Sequence, residues 1–167
     1  MTPNIFRNLL QEGNEAELLD VCLRNDDPPY VFHTNLTPWN QFRDQVAAQL
    51  NVSPNDIRIV GSGRLGFSLM PGKNLRSFRD TSDIDMVVVN AARFDELWLA
   101  LLHAAYPRAA VASRLAGWLA IRRNELYTGW LSPLEIRLDA KIFGPRAIPV
   151  LEFNSRWFNA LKQASQY

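Results

Sequence analysis

Two short β-branched runs, Ile57–Val60 and Met86–Val89, are separated by a stretch that cannot be a regular crossover helix. Pro71-Gly72 lies in its middle, and proline removes a helical hydrogen bond while its ring clashes with the preceding turn. That gap decides between folds, because Gly61 to Gly66 (GSGRLG) spells G-x-G-x-x-G, the dinucleotide-binding fingerprint. A dinucleotide fold needs a helix directly after the glycines and an acid beyond the second strand. Here Asp83 and Asp85 precede the second apolar run. The fingerprint is a coincidence of letters. A phosphate-cradling P-loop fails as well, since Asn74 follows Lys73 where a serine or threonine should meet magnesium. No G-x-S-x-G elbow is present, so Ser62 has no support as an acyl nucleophile.

The same pieces make sense together. One run ends in Gly61-Ser62; the next begins Ser82-Asp83-Ile84-Asp85. On a strand, the two carboxylates of D-x-D point the same way, because side chains alternate with period two. Close carboxylates repel and raise each other's pKa unless a cation lies between them. A hard divalent ion such as Mg²⁺ suits oxygen ligands and keeps waters for a phosphate. A Gly-Ser turn offers backbone N–H groups and a hydroxyl to a phosphate chain. Arg64, Lys73, Arg76 and Arg79 could neutralise phosphate charge. The plainer alternatives are a turn at the strand start, since Ser82 and Asp83 are good turn residues, and loop cations that are merely solvated.

Gly61-Ser62 followed by Ser82-Asp83-Ile84-Asp85 and an apolar continuation resembles the signature of the DNA polymerase β-like nucleotidyltransferase superfamily. The resemblance covers about Ile57 to Val89, and the chain's short length is similar to the minimal nucleotidyltransferases. It implies that Gly61 and Ser62 grip a nucleotide triphosphate, with ATP the first candidate, and that Arg64 and Lys73 assist. It implies that Asp83 and Asp85 bind one or two Mg²⁺ ions, joined by a third carboxylate on a neighbouring strand. Asp139 is the choice for that acid, with Glu135 behind it. Both lie on the polar face of the alternating segment Glu135 to Phe143, a pattern that equally describes a solvated edge strand. Some relatives act beside toxin proteins or in antiphage defence. The gap between Gly-Ser and Asp-x-Asp is longer here than in the family, so the Gly63 to Thr81 insertion reads as a lid, a plug or a partner site.

The rest of the chain supplies helices. Phe6, Leu9, Leu10, Leu18, Leu19 and Leu23 fit one or two short amphipathic helices. Thr37-Pro38 is a helix start, followed by Trp39, Phe42, Val46 and Leu50 at helical spacing. Further helices are expected from Phe94 to near Pro107, from about Ala109 to Arg123, and around Trp157. A hydrophobic fraction of 47% and a charged fraction of 21% belong to a folded chain. Eighteen Lys and Arg against seventeen Asp and Glu leave a net charge of +1, so no global field calls for nucleic acid or an anionic membrane. Cys22 has no disulfide partner within the chain and fits a reducing compartment. No apolar run reaches membrane-spanning length, and the start lacks the charge and apolar pattern of a signal peptide. The expectation is one cytoplasmic domain, 1–167, of α/β or α+β class. It has a small mixed sheet, helices on one face and a nucleotidyltransferase-like site. The expected activity is Mg²⁺-dependent transfer of a nucleotidyl group from an NTP to a hydroxyl on protein, nucleic acid or a small molecule. The alternative is a catalytically degenerate copy of that fold acting as an antitoxin or defence-system subunit.

Overall fold

The computed structural model describes residues 1–32, 35–105, 114–133, 136, 145 and 148–164. They gather into two compact units, Met1–Val89 and Asn90–Gln166, each with its own core. The described residues combine helices with a two-stranded antiparallel sheet, an α+β arrangement.

The first unit opens with α1, Pro3–Glu12, capped by the Thr2 hydroxyl and stopped by Gly13 at φ 68°. Helix α2, Glu15–Leu19, runs into a π-helical turn over Asp20–Arg24. Helix α3, Leu36–Leu50, buries Trp39, Phe42, Val46, Ala47 and Leu50, the expected apolar face. Its cap is Asn35, not Thr37: the Asn35 side chain accepts from the Thr37 N–H at 3.1 Å. Strand β1, Ile57–Val60, buries Ile57 and Ile59 completely. Strand β2 is shorter than Ser82 to Val89, covering only Asp85–Val88. The two run antiparallel, with Ile57 opposite Val88 and Val60 opposite Asp85.

The insertion is not one structureless loop. Its first residues complete α4, Gly61–Leu65. The rest folds back as a hairpin: Phe67 pairs with Ser77, and Ser68 N donates to Arg76 O at 2.8 Å. A 3₁₀ turn at Pro71–Lys73 forms the tip. Phe67 anchors the root, 3% exposed and edge-on to Phe6 at 5.7 Å between ring centres.

In the second unit, α5 spans Ala91–Ala105, α6 Arg114–Thr128 and α7 Ile148–Ala164. Leu97, Leu101 and Ala104 of α5 pack with Val150 of α7 and with Ile136. Ile136 belongs to the apolar row of the alternating segment and is 1% exposed. Most of the strand expected over 135–143 lies outside the described residues. Gly129 at φ 66° follows α6, leaving Tyr127 and Trp130 exposed.

Candidate functional site

Antiparallel pairing puts the exit of β1 and the entry of β2 at the same end of the sheet. The register that sets Val60 against Asp85 therefore brings Gly61 beside Asp85. Gly61 adopts φ +61°, which an L side chain rarely tolerates. A Cβ there would stand 3.0 Å from Oδ2 of Asp85, so glycine lets the carboxylate lie directly against the turn. Gly63 is buried two residues on; a Cβ on it would meet Ile59 Cγ2 at 3.1 Å and Ile84 Cγ2 at 3.8 Å. Helix α4 is thus folded tightly onto the segment that carries the two acids. Ser62 is half-buried between Gly61 and Gly63, at the second position of α4.

Asp83 and Asp85 are both exposed, and neither side chain forms a hydrogen bond or ion pair among the described residues. The insertion is therefore no plug: it leaves both carboxylates open to water. Asp83 precedes β2, so the alternation argument for a D-x-D pair on one strand applies to Asp85 alone. Asp139 and Glu135 lie outside the described residues. Among the described residues, no group of three or more His, Cys, Asp or Glu is placed to hold a metal ion. The donor chemistry nonetheless suits a hard cation: two water-exposed carboxylates, one seated where any side chain at Gly61 would crowd it.

Arg64 does something other than expected. Its guanidinium donates from Nε to Val21 O at 3.1 Å, from one terminal nitrogen to Asn25 O at 3.0 Å, and from the other to Asp27 O. Those bonds tie α4 to the chain between Val21 and Asp27 and leave the planar fork directed at carbonyls rather than at a ligand. Burial pushes the Arg64 pKa down, opposed by the Asp27 carboxylate. Arg58 in β1 does parallel work, reaching Leu23 O at 3.1 Å and the Asp26 carboxylate at 3.3 Å. Arginines three residues to either side of Gly61 thus staple the turn to one N-terminal segment. Nothing local in the sequence signals this, because these partners lie 32–43 residues away. Cys22 sits in the same segment, and its thiol pKa is raised by burial, with the Arg64 charge opposing. Tyr30 closes the other end of α4: a Cβ on Gly66, at φ +83°, would come within 2.6 Å of its ring. Lys73 ends the 3₁₀ turn at the hairpin tip and is exposed, as are Arg76 and Arg79.

Among the described residues no helix is long and apolar enough to cross a membrane. No family model matches this chain, and neither a curated protein nor a solved structure does.

Proposed function

We propose that the chain is a minimal Mg²⁺-dependent nucleotidyltransferase of the DNA polymerase β-like type, working in the cytoplasm and taking an NTP, with ATP the first candidate. The observation that carries this reading is the seat of the Asp85 carboxylate against Gly61, 3.0 Å from where a Cβ would be. Such chemistry needs a phosphate-gripping turn to adjoin a metal-holding acid, and this reading is supported by the register that sets Gly61 beside Asp85. In this reading Asp83 and Asp85 hold the metal, with Asp139 as the third acid, and the turn at Gly61 and Ser62 receives the triphosphate. Mg²⁺, when bound, neutralises charge on the triphosphate and leaving pyrophosphate. The acceptor hydroxyl oxygen forms a bond to the α-phosphorus. The bond from that phosphorus to its bridging oxygen breaks, and pyrophosphate leaves with the electron pair. The hydroxyl proton passes to a carboxylate of the site. Catalysis of this kind rests on positioning and charge rather than on a covalent intermediate.

The test is thermal melting of the full chain with ATP plus Mg²⁺ against Mg²⁺ alone. Saturation at a hundred times Kd adds about 2.7 kcal/mol of stability. The Asp83→Ala/Asp85→Ala variant should keep its melting temperature without ligand and lose that increment. No ATP-dependent shift in the wild type, or an undiminished one in the variant, would end the reading. The second reading is an interaction module for a toxin or defence-system protein. It is favoured by the exposed apolar tip of the hairpin, Leu69 and Met70, and predicts a stable protein complex whose formation ignores both aspartates.

A further inference from the structure

Three arginines from three elements converge on the segment between Val21 and Asp27. Arg64 of α4 reaches its carbonyls, while Arg58 of β1 and Arg43 of α3 reach Asp26. Arg58 is well matched, donating from Nε to Leu23 O and from Nη1 to Ile57 O, both at 3.1 Å. Arg43 is not. Its side chain is 13% exposed, and its guanidinium lies over the Trp39 ring, 5.0 Å from the centroid. Nη2 donates to Asn40 Oδ1 at 2.8 Å. Nε and Nη1 are buried and have no hydrogen-bond partner among the described residues, and the same holds for Trp39 Nε1. A buried donor left unmade keeps its full desolvation penalty, so two of them on one cation need a physical reason.

The group that faces them is Asp26. A single oxygen, Oδ1, stands 3.7 Å from Arg43 Nη1 and 3.3 Å from Arg58 Nη2. Both contacts are longer than the roughly 2.7–2.9 Å of a charge-assisted hydrogen bond. The Asp26 side chain is 66% exposed, against 13% and 17% for the two arginines. Two packed cations are therefore paired with a surface carboxylate that solvent reaches. Arg64 lies near enough to interact with Arg58, Asp26 and Asp27, and Asp27 is already held by the Asn25 amide at 2.9 Å. Three guanidinium groups thus stand against two carboxylates, and the local charge is positive.

We propose that Arg43 and Arg58 form a binding site for a phosphate-class oxyanion, with Asp26 lying over it as an internal counter-ion that the ligand displaces. The site shares no residue with the Gly61 turn or with Asp83 and Asp85, and it does not rest on the function proposed above. One carboxylate oxygen cannot serve two guanidinium groups that arrive from different elements, and here it bonds closely to neither. A phosphoryl group offers oxygens in several directions, so Arg43 Nη1 and Arg58 Nη2 can each meet one of their own. Arg43 is already held by Trp39 and Asn40, so little side-chain ordering is needed on binding. Free phosphate and the phosphate chain of a nucleotide share this chemistry.

The experiment is thermal melting of the full chain in EDTA, titrated with sodium phosphate against sodium chloride at matched ionic strength. Phosphate at ten times Kd should raise Tm by about 3–6 °C, and the rise should saturate; a general salting effect grows without saturating. Arg43→Gln should abolish the saturable rise. Asp26→Asn removes the competing charge and should lower the half-saturating phosphate concentration about two- to fivefold. Asp83→Ala/Asp85→Ala should respond as the wild type does. No saturable rise in the wild type, or an undiminished one in Arg43→Gln, overturns the site. So does a half-saturation that is unchanged or raised in Asp26→Asn, which would make Asp26 a structural ion-pair partner only. A response lost in the double aspartate variant overturns it too, by moving the anion to those acids. If Arg43→Gln does not fold, Asp26→Asn decides. ATP in EDTA separates the two sources: a response to phosphate alone assigns a free anion, and a tighter response to ATP that Arg43→Gln loses assigns a nucleotide.

Discussion

Replacing Arg64 with methionine keeps the aliphatic stem and removes the fork. Three carbonyls then lose their donors: Val21 O in a partly buried setting, Asn25 O and Asp27 O in exposed ones. A hydrogen bond to a charged group contributes about 1.5–3 kcal/mol, and water recovers most of that at the exposed carbonyls, leaving about 0.5 kcal/mol each. Methionine also relieves the desolvation of a half-buried cation, which offsets part of the loss. The net expectation is a loss of about 2–3 kcal/mol, or about 4–12 °C in Tm for a chain of this size. Urea unfolding followed by circular dichroism measures it, and Arg64→Lys, which retains one donor direction, should fall between. A change below about 0.5 kcal/mol would refute the staple. The phosphate-ligand role makes the opposite prediction: unaltered or raised stability without ligand, and a lost response to ATP.

Gly66→Ala should cost about 2–4 kcal/mol, from the left-handed backbone and from the Tyr30 ring that its Cβ would meet at 2.6 Å. Gly13→Ala, also left-handed but with nothing within 4 Å of its Cβ, should cost only about 1 kcal/mol; equal losses in urea melts would contradict the packing argument. Because burial raises the Cys22 pKa, the folded chain holds the thiol proton after the unfolded chain has released it. That contribution is whole at neutral pH and is lost as pH rises past about 8.5. Cys22→Ala should flatten the decline in stability on the alkaline side, and an identical pH profile would show the thiol to be indifferent.

Much of the helical content was legible locally. Trp39, Phe42, Val46 and Leu50 recur at helical spacing and are buried on one face of α3. The cap was not, because Asn35 and Thr37 are both capping residues and only the backbone chooses between them. The insertion misled more seriously. Its lack of period hid both a short helix and a hairpin, since α4 is one turn long and the hairpin's pairing is set by the burial of Phe67 against Phe6.

The sequence by itself settled the exclusions and nominated the candidate acids. Pro71-Gly72 forbids a crossover helix wherever the strands lie, and acids placed before an apolar run cannot serve a ribose beyond it. Both are properties of neighbouring residues. Only the tertiary structure decided that Gly61 faces Asp85, that Arg64 is a strut and that the insertion leaves the acids open. Each of those depends on which distant segments meet, and such meetings are chosen by burial and register, which no short stretch of sequence encodes.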